Sequence, residues 1–187
     1  MKKSLLLTLL ALSVSFVPAH AATVVLLGPS TVSGPFDVVV NVTNVFAPPH
    51  DTDSLLAYGF DITFDNTVLT YLGETAGPLF TDITGQPGLA AQVAGVASAI
   101  LLSPGDFVEP LQLATLHFGL AGVQFGATSI SITGDPLNLD QGLIYLSTSD
   151  PIAAGTRVTA LAAVPEPGTL LLGALGIAAV WNRKRKR

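Results

Sequence analysis

Tyr58-Gly59-Phe60-Asp61-Ile62-Thr63-Phe64-Asp65 alternates large apolar residues with small or polar ones over eight consecutive positions. Successive side chains of a strand point to opposite faces, so a period of two marks a strand with one buried and one wet face. Working outward, Phe36, Val38, Val40 and Val42 fall on one face while Asp37, Asn41 and Thr43 fall on the other, with Val39 as an exception. Thr128, Ile130 and Ile132 alternate with Ser129, Ser131 and Thr133. Further strands are expected at 23–27, 68–72, 92–102, 111–120, 143–147 and 157–162. The Ala-rich 92–102 also suits a short helix, but β-branched Val93, Val96 and Ile100, and the following Pro104-Gly105, favour a strand. Turn clusters at Gly28-Pro29-Ser30, Ala47-Pro48-Pro49, Gly85-Gln86-Pro87-Gly88 and Gly134-Asp135-Pro136 separate the runs. About nine short strands without a helical stripe predict an all-β sandwich.

Charge is partitioned along the chain. Of the eight bases, seven lie at the two ends, and the region from Ala22 to Val164 keeps only Arg157. Twelve acids oppose it there, a net of −11. Such a surface repels phosphates, which excludes nucleic acid as a partner and suits solubility outside the cell. The chain has no cysteine, so disulfides, thiolate metal sites and thiol catalysis are all excluded.

Both ends read as membrane-directed addresses. Met1-Lys2-Lys3 is followed by the apolar run 5–17 and by Pro18-Ala19-His20-Ala21. This is a secretory signal peptide, with Ala19 and Ala21 as the small residues that signal peptidase accepts and a cut expected after Ala21. Its thirteen-residue run falls short of the ~20 residues needed to span a bilayer. At the other end stand Val164-Pro165-Glu166-Pro167, then Gly168-Thr169, an apolar run 170–181, and the basic tail Arg183-Lys184-Arg185-Lys186-Arg187. The prolines keep the motif extended. A helix over 169–181 would be about 20 Å long, short for a permanent transmembrane span, and the basic tail would hold it on the cytoplasmic side. The domains expected are therefore 1–21, 22–163 and 164–187.

The C-terminal segment resembles the PEP-CTERM sorting signal, in its three unlike features and in their order. The resemblance implies processing by an exosortase, a membrane transpeptidase-like protease. It also implies transient anchoring of the C-terminal helix in the inner membrane of a Gram-negative bacterium that secretes polysaccharide and forms biofilm. The cell surface or extracellular matrix would be the destination.

The central region is similar to the cohesin domain and its relatives among carbohydrate-binding modules. Three stretches carry the likeness: Leu56–Asp65 followed by Val68-Leu69, Leu113-Ala114-Thr115-Leu116-His117-Phe118, and Ala127-Thr128-Ser129-Ile130-Ser131-Ile132. It implies a nine-stranded sandwich of jelly-roll topology, with either carbohydrate affinity or capture of a dockerin-like protein on a sheet face.

Few residues suggest chemistry. No nucleophile elbow, phosphate loop or zinc-protease motif is present, and no spacing selects the carboxylate pair that a polysaccharide hydrolase needs. A non-catalytic protein is the expectation, and no motif implies a cofactor. His117 lies in an apolar strand and reads as structural, whereas His50 beside Asp51 and Asp53 could ligate a metal weakly. Ca²⁺ takes oxygen ligands, and two loops offer them: Asp51 with Asp53, and Asp135 with Asp140. Neither has EF-hand spacing, and the simpler reading is aspartates that favour their own turns. Tyr58 falls on the core face of its strand. Tyr71 and Tyr145 are candidate sugar platforms, with core or rim packing as the alternative for each. The resulting expectation is an exported, non-catalytic surface or matrix protein associated with secreted polysaccharide. A dockerin-binding module is the alternative.

Overall fold

The computed structural model describes residues 22–161, apart from 88, 100, 123, 124, 136 and 139. The expected signal peptide with Ala19 and Ala21 lies outside the described residues, as do Val164–Pro167, the expected C-terminal helix and Arg183–Arg187. Among the described residues there are twelve strands and no helix. In chain order they are β1 (Thr23–Leu27), β2 (Thr31–Val32), β3 (Phe36–Thr43), β4 (Leu55–Phe64), β5 (Leu69–Ala76) and β6 (Phe80–Asp82). Then follow β7 (Val93–Ala97), β8 (Leu111–Leu120), β9 (Gly126–Gly134), β10 (Gly142–Tyr145), β11 (Ser149–Asp150) and β12 (Ile152–Ala160).

Two sheets result. One has four strands in the order β1-β3-β8-β5, and the other has eight, with β11-β10-β4-β9-β12-β2 as its path. In the larger sheet β7 also pairs with β4 and carries β6. Among the described residues only the β2–β12 pair is parallel. The nine strands read from sequence are nine of these twelve, and β2, β6 and β11 are the two- and three-residue additions. The run expected over 92–102 is a strand only over Val93–Ala97; Ser98 still donates to the Leu79 carbonyl at 2.9 Å, in continuation of the β6 register, while the pairing with β4 stops at Val96. Leu102 returns as a single bridge to Leu55.

The core lies between the sheets. Tyr58, Phe60 and Ile62 of β4 are buried with Val38, Val40 and Val42 of β3 and with Ile130 and Ile132 of β9, as the alternation requires. Phe64 makes an edge-on contact with Phe118 of β8, at 5.4 Å between ring centroids, joining one sheet to the other. On β8 the period slips, and Leu113 and Ala114 are both buried. The cause is a register shift opposite Val40 and Asn41, where one extra residue on β8 enters the ladder. Leu111 and Leu113 before the shift, and Leu116 and Phe118 after it, can then all face inward.

Candidate functional site

The loop from Asn44 to Ser54 is fixed from outside itself. Asn44 turns the chain at a φ of 57°, a conformation that Asn tolerates better than most residues. The Glu109 carboxylate accepts the backbone N–H groups of Asn44 at 2.8 Å and Val45 at 2.9 Å. Tyr145 of β10 donates its hydroxyl to the Val45 carbonyl at 2.7 Å. The His50 ring lies flat on Tyr145, with centroids 3.8 Å and planes 5° apart.

His50 is thereby sealed, at 3% exposure. Its Nδ1 is 3.2 Å from Asp53 Oδ2, an oxygen that also accepts the Ser147 hydroxyl. Its Nε2 is 3.2 Å from Asp150 Oδ2, which is ion-pair distance but off the line that a hydrogen bond needs. Burial opposes ionisation of Asp53, but hydrogen bonds from Ser147, Ser54 and His50 outweigh it and hold its carboxyl below the usual range. Burial pushes the Tyr145 hydroxyl upward, and the nearby Asp150, Asp53 and Glu109 charges add to that. The Ser147 hydroxyl donates to Asp53 rather than to the imidazole, and the His50 ring is buried. Nothing in the sequence groups Tyr145, Ser147 and Asp150 with His50, because about a hundred residues separate them.

The platform expectation fails at Tyr145, which is 3% exposed with its ring covered by His50. Tyr71 is half-buried; its ring packs on Phe118 at 5.6 Å and its hydroxyl donates to Glu74. Tyr58 is buried, as its face of β4 implied. His117 is held at both ring nitrogens, by Asp37 at 2.7 Å and Thr75 at 2.9 Å, on the outer side of the four-stranded sheet.

The loop carboxylates are turned toward backbone. Asp135 Oδ1 accepts the N–H of Leu137 at 2.9 Å, closing its own turn. Asp140 Oδ2 accepts the N–H groups of Ala90 and Ala91, and those hydrogen bonds, Ala91 foremost, hold its carboxyl below the usual range. Buried Gln141 donates to Asp61 at 2.9 Å and accepts from Asp135 N–H at 3.1 Å, which locks the same loop. Asp51 is exposed beside the His50 cluster. Among the described residues no group of three or more His, Cys, Asp or Glu side chains is placed to hold a metal ion.

A polar groove of about 420 Å³ crosses the larger sheet, lined by Thr63, Phe64, Asp65, Ala127, Thr128, Ser129 and Arg157. Arg157 and Ser129 are cross-strand partners on β12 and β9, while Thr63 of β4 is level with Ser131 of β9. Asp65 follows Phe64, the partner of Ile130, and so comes level with Ser129. Asp65, one residue past β4, thus falls in one row with Ser129 of β9 and Arg157 of β12. Hydrogen bonds from the Thr67 hydroxyl, at 2.7 Å, and the Thr67 N–H hold the Asp65 carboxyl below the usual range.

Residues 163–186 match the PEP-CTERM protein-sorting motif. The chain carries this motif, which marks an exported protein that transits a membrane. No curated protein matches the chain. Among solved structures it is similar to the seventh ScaB type I cohesin from Pseudobacteroides cellulosolvens, at 15% identity over 78% of this chain and 95% of that one, TM-score 0.41. It is similar to the cohesin module of a family 33 glycoside hydrolase from Clostridium perfringens, at 10% identity over 74% and 94%, TM-score 0.49. A cohesin–dockerin complex from Clostridium thermocellum gives 12% identity over 75% and 99%, TM-score 0.38. The cohesin-like neighbours extend over most of the chain, and similarity at this level speaks to no ligand or partner.

Proposed function

We propose that this chain is a non-catalytic envelope protein, exported by its N-terminal signal peptide and sorted by its C-terminal segment. In this reading an exosortase processes the tail at or near Val164-Pro165-Glu166-Pro167. The mature β-domain reaches the cell surface or matrix of a Gram-negative bacterium and associates there with secreted polysaccharide. The match of residues 163–186 to the sorting motif carries the reading. The sealed imidazole of His50 and the loop carboxylates committed to backbone support a binding rather than a catalytic domain.

The test is the mature chain itself. Mass spectrometry of the exported protein is expected to give an N-terminus at Ala22 and a C-terminus upstream of the basic tail. Glu166→Ala, or deletion of Arg183–Arg187, is expected to leave the tail attached and shift the protein between membrane and released fractions. Unchanged fractionation of both variants, with Arg187 present in the exported parent, would contradict the proposal.

A further inference from the structure

The domain's single base is not used to neutralise any of its twelve acids. Among the described residues the Arg157 guanidinium has no ion-pair or hydrogen-bond partner. A lone cation in so negative a field would find a carboxylate if one were in reach, and Asp65 lines the same groove. The sheet explains the separation. Neighbouring strands are about 4.8 Å apart, so two steps put the Asp65 and Arg157 backbones roughly 9.6 Å from each other. The two groups stand on opposite sides of a hydroxyl-lined trough rather than against one another.

That row has a definite hydrogen-bonding character. Asp65 only accepts, Arg157 only donates through a planar fork, and the hydroxyls of Ser129 between them and of Thr63 beside Asp65 do either. Phe64, whose ring turns inward onto Phe118, borders the groove only from below. A sugar ring offers the complement: hydroxyls that both donate and accept around its rim. Charge then decides the class of sugar. A polyanion would meet a domain carrying −11 and an Asp at one end of the groove, whereas a neutral polyol meets a matched donor and acceptor and suffers no long-range repulsion.

The geometry points to this groove as a binding site for a neutral glycan unit, with Arg157 and Asp65 holding hydroxyls on opposite sides of the ring. This rests on the reading of the β-domain as the polysaccharide-associating part of the exported protein. The experiment is calorimetric titration of the full chain, purified in detergent, with neutral gluco-, manno- and xylo-hexasaccharides and with an oligogalacturonate. Binding of at least one neutral hexasaccharide is expected, little changed between 20 and 500 mM NaCl. Arg157→Gln is expected to weaken it at least tenfold and Ser129→Ala about threefold, while Thr70→Ala, exposed on the other sheet, changes nothing. The melting temperature of Arg157→Gln in 500 mM NaCl, where the added self-repulsion is screened, should match the parent's, since Arg157 makes no ion pair among the described residues, which separates lost binding from lost folding. No heat with any neutral hexasaccharide, parental affinity in Arg157→Gln, or preference for the uronate with steep salt dependence would each overturn the site. Correct tail processing alongside such a failure removes the groove and leaves the sorting reading intact. Sugar binding without processing does the reverse.

Discussion

A side chain at residue 59 would collide with another loop. In the alternating stretch of β4, Gly59 occupies a position that the sequence marks only as small, yet it is buried. A Cβ there would overlap the carbonyl oxygen of Asp140 and come within 3.1 Å of the Ala91 side chain. The same Asp140 holds the 90–91 backbone through its carboxylate, so the loop cannot retreat without releasing that contact. Gly59→Ala is therefore expected to cost about 3 kcal/mol, at the upper end for an overpacked site where the obstacle is backbone. Urea unfolding of the variant, read as a lower midpoint with unchanged slope, checks it. A neutral result would show that the 135–141 loop yields.

Within β8, adjacent residues face opposite ways and should answer mutation differently. Phe118 is fully buried and touches Phe36, Phe64 and Tyr71. Phe118→Ala is expected to cost about 3–5 kcal/mol, as for large-to-small changes in a packed core. His117 ties β3 to β5 across the outer face through Asp37 and Thr75. His117→Ala is expected to cost only about 0.5–1 kcal/mol, the size of a cross-strand pair. Thermal melts of both variants decide the matter, and equal losses would mean the strand is not oriented as described. The long strands were legible because burial on one face imposes a period of two on eight or more residues. β2, β6 and β11 were not, since two or three residues hold no period. The bulge at Leu113 breaks the alternation locally and can be seen only once β3 and β8 are placed in register. The candidate sites share that difficulty. His50 with Asp150, and the row Asp65–Ser129–Arg157, are products of strand pairing between residues far apart in the chain, and a single sequence records each residue but not its partner. The turn aspartates were legible in the other direction. Asp135 and Asp140 read as metal candidates or as loop formers, and the structure commits their carboxylates to backbone N–H groups.

At the scale of the molecule, charge has a thermodynamic consequence. Twelve acids and one base are compressed into one domain, and the ion-pair contacts among the described residues all involve His50 or His117. The fold therefore has much self-repulsion to relieve and little ion-pair attraction to lose when salt is added. Unfolding spreads the acids apart, so repulsion weighs on the folded state, and a Debye length that falls from about 30 Å at 0.01 M to a few ångströms near 1 M screens it. The melting temperature is expected to rise from 10 mM to 500 mM NaCl. About 1 kcal/mol of relieved repulsion corresponds to roughly 4 °C for a domain of this size. Differential scanning calorimetry in the two buffers reads this directly, and a fall with salt would show that attractive pairs dominate instead. Repeating the scan in 1 mM CaCl₂ against NaCl of equal ionic strength separates screening from site binding, because only a built site stabilises by mass action. With Asp135 and Asp140 already accepting backbone hydrogen bonds, no excess over the matched NaCl control is expected. A shift of several degrees beyond that control would place a calcium ion on the acidic loops, and Asp51→Asn and Asp140→Asn would then show which loop holds it.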